Sequence, residues 1–205
     1  MIDLEITDGF WTATINRPDK ANSLTPDMLE DLVQLVTRAG HEGAQVLVLT
    51  GAGKVFSAGA DLDAARAGLA TSDVWERLSG AIAALPCLTI AALNGTLAGG
   101  AMGMALACDL RVAVPGAKFF YPVMKLGFLP QPSDVPRLGA LIGPARASMI
   151  LMAGAKIEAQ EALSWGLIDR IVAAEDLQAT ARLLAADALA ASAAHLAAIK
   201  AMIRA

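Results

Sequence analysis

No charged side chain occurs between residues 78 and 108, a run longer than the roughly 20 residues needed to cross a bilayer. A chain with such a stretch must bury it either in lipid or in its own interior, and the punctuation within the run decides between the two. Pro86, the Asn94-Gly95 pair and glycines 99, 100 and 103 cut it into pieces of the length used by ordinary strands and helices, which points to a large internal core and away from a membrane. The remaining sequence can enclose that core. At 205 residues, 56% hydrophobic and 18% charged, the chain suits one α/β domain and excludes intrinsic disorder. A net charge of −4 gives no broad cationic surface for nucleic acid, so an anionic ligand has to be met by local lysines or by backbone N–H groups.

The pattern along the chain is that of an α/β fold. Residues 2–7 and 11–15 alternate apolar and polar side chains about Asp8-Gly9, as a hairpin does. Thr25 is placed to cap a helix that Pro26 opens and Gly40 closes, with Met28, Leu29, Leu32, Val33 and Val36 on one face. Residues 46–50 form a short apolar run rich in β-branched side chains, the mark of a strand covered on both faces and hence of a parallel sheet. A loop is expected over 51–61, then a helix carrying Trp75, Leu78, Ile82 and Leu85, a strand over 87–93, a small-residue helix after Gly99-Gly100, and a strand over 111–114. Further helices are expected over 144–152, over 158–165 with Gly166 as the stop, and from 175 onward through alanine-rich sequence. Cys87 and Cys108 lie in apolar runs, as the thiols of a reduced, cytoplasmic protein do, and the acidic start MIDLEITDGFW lacks a leader pattern. No Cys, His or carboxylate cluster has metal-ligand spacing, and His41 and His195 read as surface residues with no nucleophile beside them.

Two segments enter helices with small residues: Ser57-Ala58-Gly59-Ala60-Asp61 and Leu97-Ala98-Gly99-Gly100. In α/β sheets, ligands bind beyond strand ends, and a small residue there lets a ligand reach backbone N–H groups. Ala60 and Gly100 are the candidate donors; a pair of such groups aimed at one carbonyl oxygen stabilises the charge developing on it, each worth about 3–4 kcal/mol in a comparable site. Taken singly, each feature also has a plainer reading, with the glycines allowing close helix packing and Asp61 capping a helix.

Several segments in order sharpen the reading. They are Asn16-Arg17-Pro18 with Lys20-Ala21-Asn22-Ser23-Leu24, then Phe56-Ser57-Ala58-Gly59-Ala60-Asp61-Leu62, then Asn94-Gly95 through Gly99-Gly100 to Ala107-Cys108-Asp109-Leu110. Tyr121-Pro122, Leu126-Gly127, Ala162-Leu163 and Trp165-Gly166-Leu167-Ile168-Asp169 follow. From about residue 2 to the end, this series resembles the crotonase, or enoyl-CoA hydratase/isomerase, superfamily. The resemblance implies an α/β spiral of ββα units over 1–173 with a shortened C-terminal helical segment over 174–205. It implies an acyl-CoA substrate, with coenzyme A part of that substrate and no separate cofactor or metal, and a homo-oligomer, trimer or dimer of trimers. By the same resemblance Ala60 and Gly100 form an oxyanion hole for a thioester enolate, and Lys20, Ala21, Ser23, Ala58, Asp61, Leu62, Gly99, Pro122, Val123 and Leu126 contact the substrate. Lys20 and Arg17 supply local positive charge for phosphates, although an exposed lysine needs no ligand to explain it.

The sequence also departs from the family pattern. Gly103 and Val123 stand where family hydratases carry glutamates, and Gln131 aligns with an aspartate of other members. Asp134 is the candidate acid/base, with a helix N-cap ahead of Val135-Pro136 as the plainer role; Tyr121 reads as core, and Gln131 can orient water. Chemistry that asks little of side chains fits best, such as decarboxylation of a malonyl-type thioester, whereas hydration or isomerisation calls on Asp134. The alternative is a family member that binds acyl-CoA without turning it over. The chain stops at Arg204-Ala205, and the stripe Leu196, Ile199, Met202 and Ile203 still requires an apolar partner.

Overall fold

A computed structural model describes residues 1–204 of the chain. Strands β1 (Ile2–Thr7) and β2 (Phe10–Ile15) form the expected hairpin, with Asp8 and Gly9 both at positive φ (47° and 79°), the two-residue turn whose twist matches the strands it joins. Helix α1 (Pro26–His41) starts as expected: the Thr25 hydroxyl accepts the Met28 N–H at 3.3 Å, and Met28, Leu29, Leu32, Leu35, Val36 and Ala39 are buried. Strand β3 (Val46–Gly51) then runs parallel to β2, buried from Val46 to Thr50.

The segment expected as a loop over 51–61 contains a strand, β4 (Val55–Ser57), ahead of α2 (Leu62–Arg66). Three residues show no period of two, which is why the pattern did not reveal it. Helix α3 (Val74–Ala84), β5 (Leu88–Leu93), β6 (Thr96–Ala98) and α4 (Met102–Ala107) are the pieces into which the uncharged run folds. Every residue of α4 is buried, which accounts for a helix with no polar face. No single helix among the described residues is long and apolar enough to cross a membrane.

Strands β7 (Leu110–Ala113) and β8 (Lys118–Phe120) follow, then helices α5 (Val123–Leu126), α6 (Asp134–Ile142) and α7 (Pro144–Leu151). β9 (Ile157–Glu158), α8 (Ala159–Trp165), with Gly166 left-handed behind it, and β10 (Arg170–Ile171) complete the sheets. One sheet has the order β1-β2-β3-β5-β7-β10 and the other β4-β6-β8-β9, so from β3 to β8 successive strands alternate between them. The result is the α/β spiral that the resemblance implies. Each turn brings a strand of the smaller sheet to the point where its following segment faces those of the neighbouring turns.

The alanine-rich C-terminal sequence forms three helices, α9 (Leu177–Leu184), α10 (Ala186–Ala190) and α11 (Ala193–Arg204). Two polar side chains mark the break between α10 and α11. The Gln45 amide donates to the carbonyls of Ala188, Leu189 and Ala191, and Ser192 Oγ accepts the His195 N–H at 3.3 Å to start α11 anew. Lys200 anchors α11 to the core, its Nζ lying 2.6 Å from the Cys87 carbonyl and 2.7 Å from Asp109 Oδ2. Asp109 also accepts from Arg204 and from the Thr89 N–H and hydroxyl; burial pushes its carboxyl upward, but Lys200 and Thr89 outweigh that and hold it below its ordinary value. Cys87 and Cys108 are unpaired and buried, and burial pushes their thiols up to about 11 and about 12.

Candidate active site

The two small-residue segments meet. Ser57, at the end of β4, donates from its hydroxyl to the Asn22 carbonyl at 2.8 Å and accepts the Gly59 N–H at 3.1 Å, which fixes the turn. Gly59 takes φ +92°, and a Cβ there would lie 2.8 Å from the Ala98 carbonyl and 3.3 Å from Gly99 Cα. Only glycine lets the turn after β4 touch the turn after β6 backbone to backbone. Ala60 sits opposite Leu24 in a bridge whose bonds come from its neighbours: Leu24 N–H donates to the Gly59 carbonyl and Asp61 N–H to the Leu24 carbonyl, both at 2.8 Å. The Ala60 N–H therefore points away from Leu24. Gly100 occupies the short helical turn Gly99–Ala101 that leads into α4, where a first-turn N–H has no acceptor within the helix.

A cavity of about 200 Å³ opens at this junction. Ala58, Ala60 and Leu62 line it from the first segment, Gly99 and Gly100 from the second, and Pro122, Val123 and Leu126 from the segment after β8. These are eight of the residues singled out in the sequence. Sequence reasoning missed Trp75, Phe128, Leu129, Ala65 and Ala70, since cavity walls and core draw on the same apolar side chains. Trp75 is pressed against the second segment: its indole donates to the Leu69 carbonyl at 2.8 Å, and a Cβ on Gly100 would come within 3.2 Å of its ring.

Lys20, Ala21, Ser23 and Asp61 do not line the cavity. Lys20 is exposed, and Ala21 and Asn22 hold positive φ in a turn that Asn22 ties to Ala52 and Val55. Arg17, expected to offer charge to phosphates, is engaged within the protein: its guanidinium donates to Asp61 Oδ2 at 2.8 Å and to the carbonyl and hydroxyl of Ser23 at 3.1 Å. Asp61 caps α2 through the Asp63 and Ala64 N–H groups, and the Arg17 hydrogen bond, followed by that of Ala64, lowers its carboxyl below the usual range.

Asp134 is not the helix cap that one reading of the sequence gives. It is the first residue of α6, 1% exposed, and its carboxyl turns inward: the Tyr121 hydroxyl lies 3.0 Å from Oδ2, and Oδ1 has no partner. Burial pushes this carboxyl up to about 7, partly offset by the Tyr121 hydrogen bond and the charge of Arg137, while Glu76 adds to the rise. Oδ1 faces Gly103 of α4, where a Cβ would lie only 2.7 Å away. Asp134 thus fills the space into which a side chain at 103 would project. The carboxyl reaches the cavity only through Tyr121, whose oxygen also accepts the Gln131 N–H at 3.3 Å; Tyr121 and Gln131 line the cavity and Asp134 does not. Tyr121, read as core from sequence, is buried yet forms part of the wall.

Comparison with known proteins gives the family and the fold. The family described as enoyl-CoA hydratase/isomerase matches residues 5–205. A Mycobacterium tuberculosis protein described as a probable enoyl-CoA hydratase is 35% identical over 181 residues, covering 88% of this chain and 74% of its own. The 1,2-epoxyphenylacetyl-CoA isomerase of Escherichia coli is 33% identical over 190 residues, covering 88% of this chain and 72% of its own. The crystal structure of an enoyl-CoA hydratase from Bacillus anthracis superposes with a TM-score of 0.92 at 32% identity, covering 99% of this chain and 82% of that one.

Proposed function

Since the chain belongs to the enoyl-CoA hydratase/isomerase family, we propose that it binds acyl-CoA thioesters and stabilises a thioester enolate with the backbone N–H groups of Ala60 and Gly100. The observation that carries this reading is the backbone contact between the two small-residue turns at the mouth of an apolar cavity. Two N–H groups held by rigid turns in a water-poor pocket stabilise developing negative charge without having to reorient. Coenzyme A enters as part of the substrate, and the apolar walls take the acyl group. Asp134 is the acid/base of this reading. No carboxylate or cationic side chain lines the cavity among the described residues, so loss of CO₂ from a malonyl-type thioester, which makes the enolate without a base, suits the site as well as hydration or isomerisation does.

A second reading is a family member that binds acyl-CoA without converting it, favoured by Gly103 and Val123, which place no carboxylate in the site. Incubation in D₂O with enoyl-, malonyl- and saturated acyl-CoA thioesters, read by mass spectrometry, separates the two. The enzyme reading expects water addition, CO₂ loss or α-deuterium, abolished in Gly100→Val with less effect on affinity than on rate. Binding with no mass change for any thioester selects the second reading. A cytoplasmic homo-oligomer completes the proposal, supported by apolar side chains left on the surface, among them Met124 and Met152.

A further inference from the structure

Within the enolate reading just given, on which this step rests, we infer that the Tyr121 hydroxyl carries the α-proton between thioester and protein, with Asp134 behind it as the group that takes up or returns a proton. Tyr121 is the only cavity-lining residue with a side-chain hydroxyl among the described residues, and its oxygen has two fixed neighbours, Asp134 Oδ2 at 3.0 Å and the Gln131 N–H at 3.3 Å. A phenolic oxygen has one proton to give and two lone pairs to offer. With Asp134 ionised, the hydroxyl donates to Oδ2 and accepts from Gln131, leaving one lone pair for the cavity. With Asp134 protonated on Oδ2, the oxygen accepts from both neighbours and its own O–H is released toward the cavity. In either state a single position remains for the substrate, as acceptor in one and donor in the other.

The proton balance follows from these two states. In the enolising direction the α C–H bond breaks, its electron pair moves into the enolate held by Ala60 and Gly100, and its proton forms a new O–H bond on Tyr121. The former phenolic proton passes to Oδ2, so the tyrosine stays neutral and the charge moves from carboxylate to enolate. In the other direction, after loss of CO₂ for example, protonated Asp134 returns the proton by the same route. Burial and the nearby Asp134 charge raise the Tyr121 pKa, which favours such a paired transfer over formation of a free phenolate. The charged groups acting on Asp134 are Arg137 of its own helix and Glu76 of α3, the latter accepting from the N–H and hydroxyl of Ser133; α4 presents Gly103, which carries no ionisable group.

The test is deuterium uptake at the α-carbon of butyryl- and hexanoyl-CoA in D₂O between pH 5.5 and 8.5, with thioester binding measured in parallel by calorimetry. Wild-type exchange should rise as pH passes about 7, where Asp134 ionises, and then level off. Tyr121→Phe should slow exchange about a hundredfold with affinity nearly unchanged. Asp134→Asn, which keeps an amide beside the Tyr121 oxygen, should be slow and lose the rise near pH 7. Equal exchange by wild type and Tyr121→Phe, or a wild-type rate flat with pH, overturns the relay and leaves the enolate reading in place. Binding without exchange in the wild type overturns the relay and, if malonyl- and enoyl-CoA likewise show no mass change, the enolate reading with it, and lack of thioester binding removes the acyl-CoA reading itself.

Discussion

Asp134 is placed where a carboxylate weakens the fold. Its carboxyl titrates at about 7 in the folded protein against an ordinary value of 3.8, so between those values the folded state binds more protons than the unfolded one. Stability on this account is highest below pH 4, falls as pH rises toward 7, and is constant above it. The loss is on the order of 4 kcal/mol at full ionisation. Asp134→Asn should therefore gain stability over wild type at pH 8 and lose most of that gain at pH 5, as measured by urea denaturation at the two pH values. A burden of this size at a buried residue is the kind that a functional site retains. At this scale the sequence was half legible. That residues 103 and 123 are Gly and Val is plain from the sequence, but the occupation of the space beside Gly103 by a side chain from α6 depends on how α4 and α6 pack, which no local pattern records.

At the scale of elements, legibility follows length. α1 and β3 were plain because many apolar positions repeat or run together and a Thr-Pro start marks the helix. β4, β6, β8 and β9, at two or three residues each, are too short to carry a period, although they build the sheet that positions the site. The breaks within the C-terminal helical segment were not legible, because alanine favours helix at every position and the break between α10 and α11 is held by Gln45, distant in sequence. Lys200 was likewise hidden, as a lysine in an amphipathic helix ordinarily faces water. It is buried against Cys87 and Asp109, so Lys200→Met, which keeps the apolar stem, should cost about 2 kcal/mol through loss of charge-assisted hydrogen bonds. Hydrogen exchange should quicken through α11 before it does in β3 or β5.

For the whole molecule, the notable feature is a surface with apolar side chains left over. Met124, Leu129 and Met152 are 66%, 87% and 69% exposed, and of the α11 stripe only Leu196 packs against the core, while Met202 and Ile203 are each 79% exposed. Monomers rarely keep so many large apolar groups in water. Sedimentation velocity should accordingly give a multiple of the 21.1 kDa chain mass, and a species at 21.1 kDa across micromolar concentrations would count against the oligomer. The spiral itself was legible from the ordered motifs, whereas the apolar wall of the cavity was legible only in part: Leu62, Pro122, Val123 and Leu126 were singled out, and Trp75, Phe128 and Leu129 were not. One part of that wall has an optical consequence. Of the three tryptophans, Trp75 alone lines the cavity; Trp11 and Trp165 lie under the guanidinium groups of Arg38 and Arg146. A guest entering beside Gly100 displaces water from one indole and leaves the other two as an internal reference, so the protein carries its own ultraviolet gauge of occupancy, readable before any product is known.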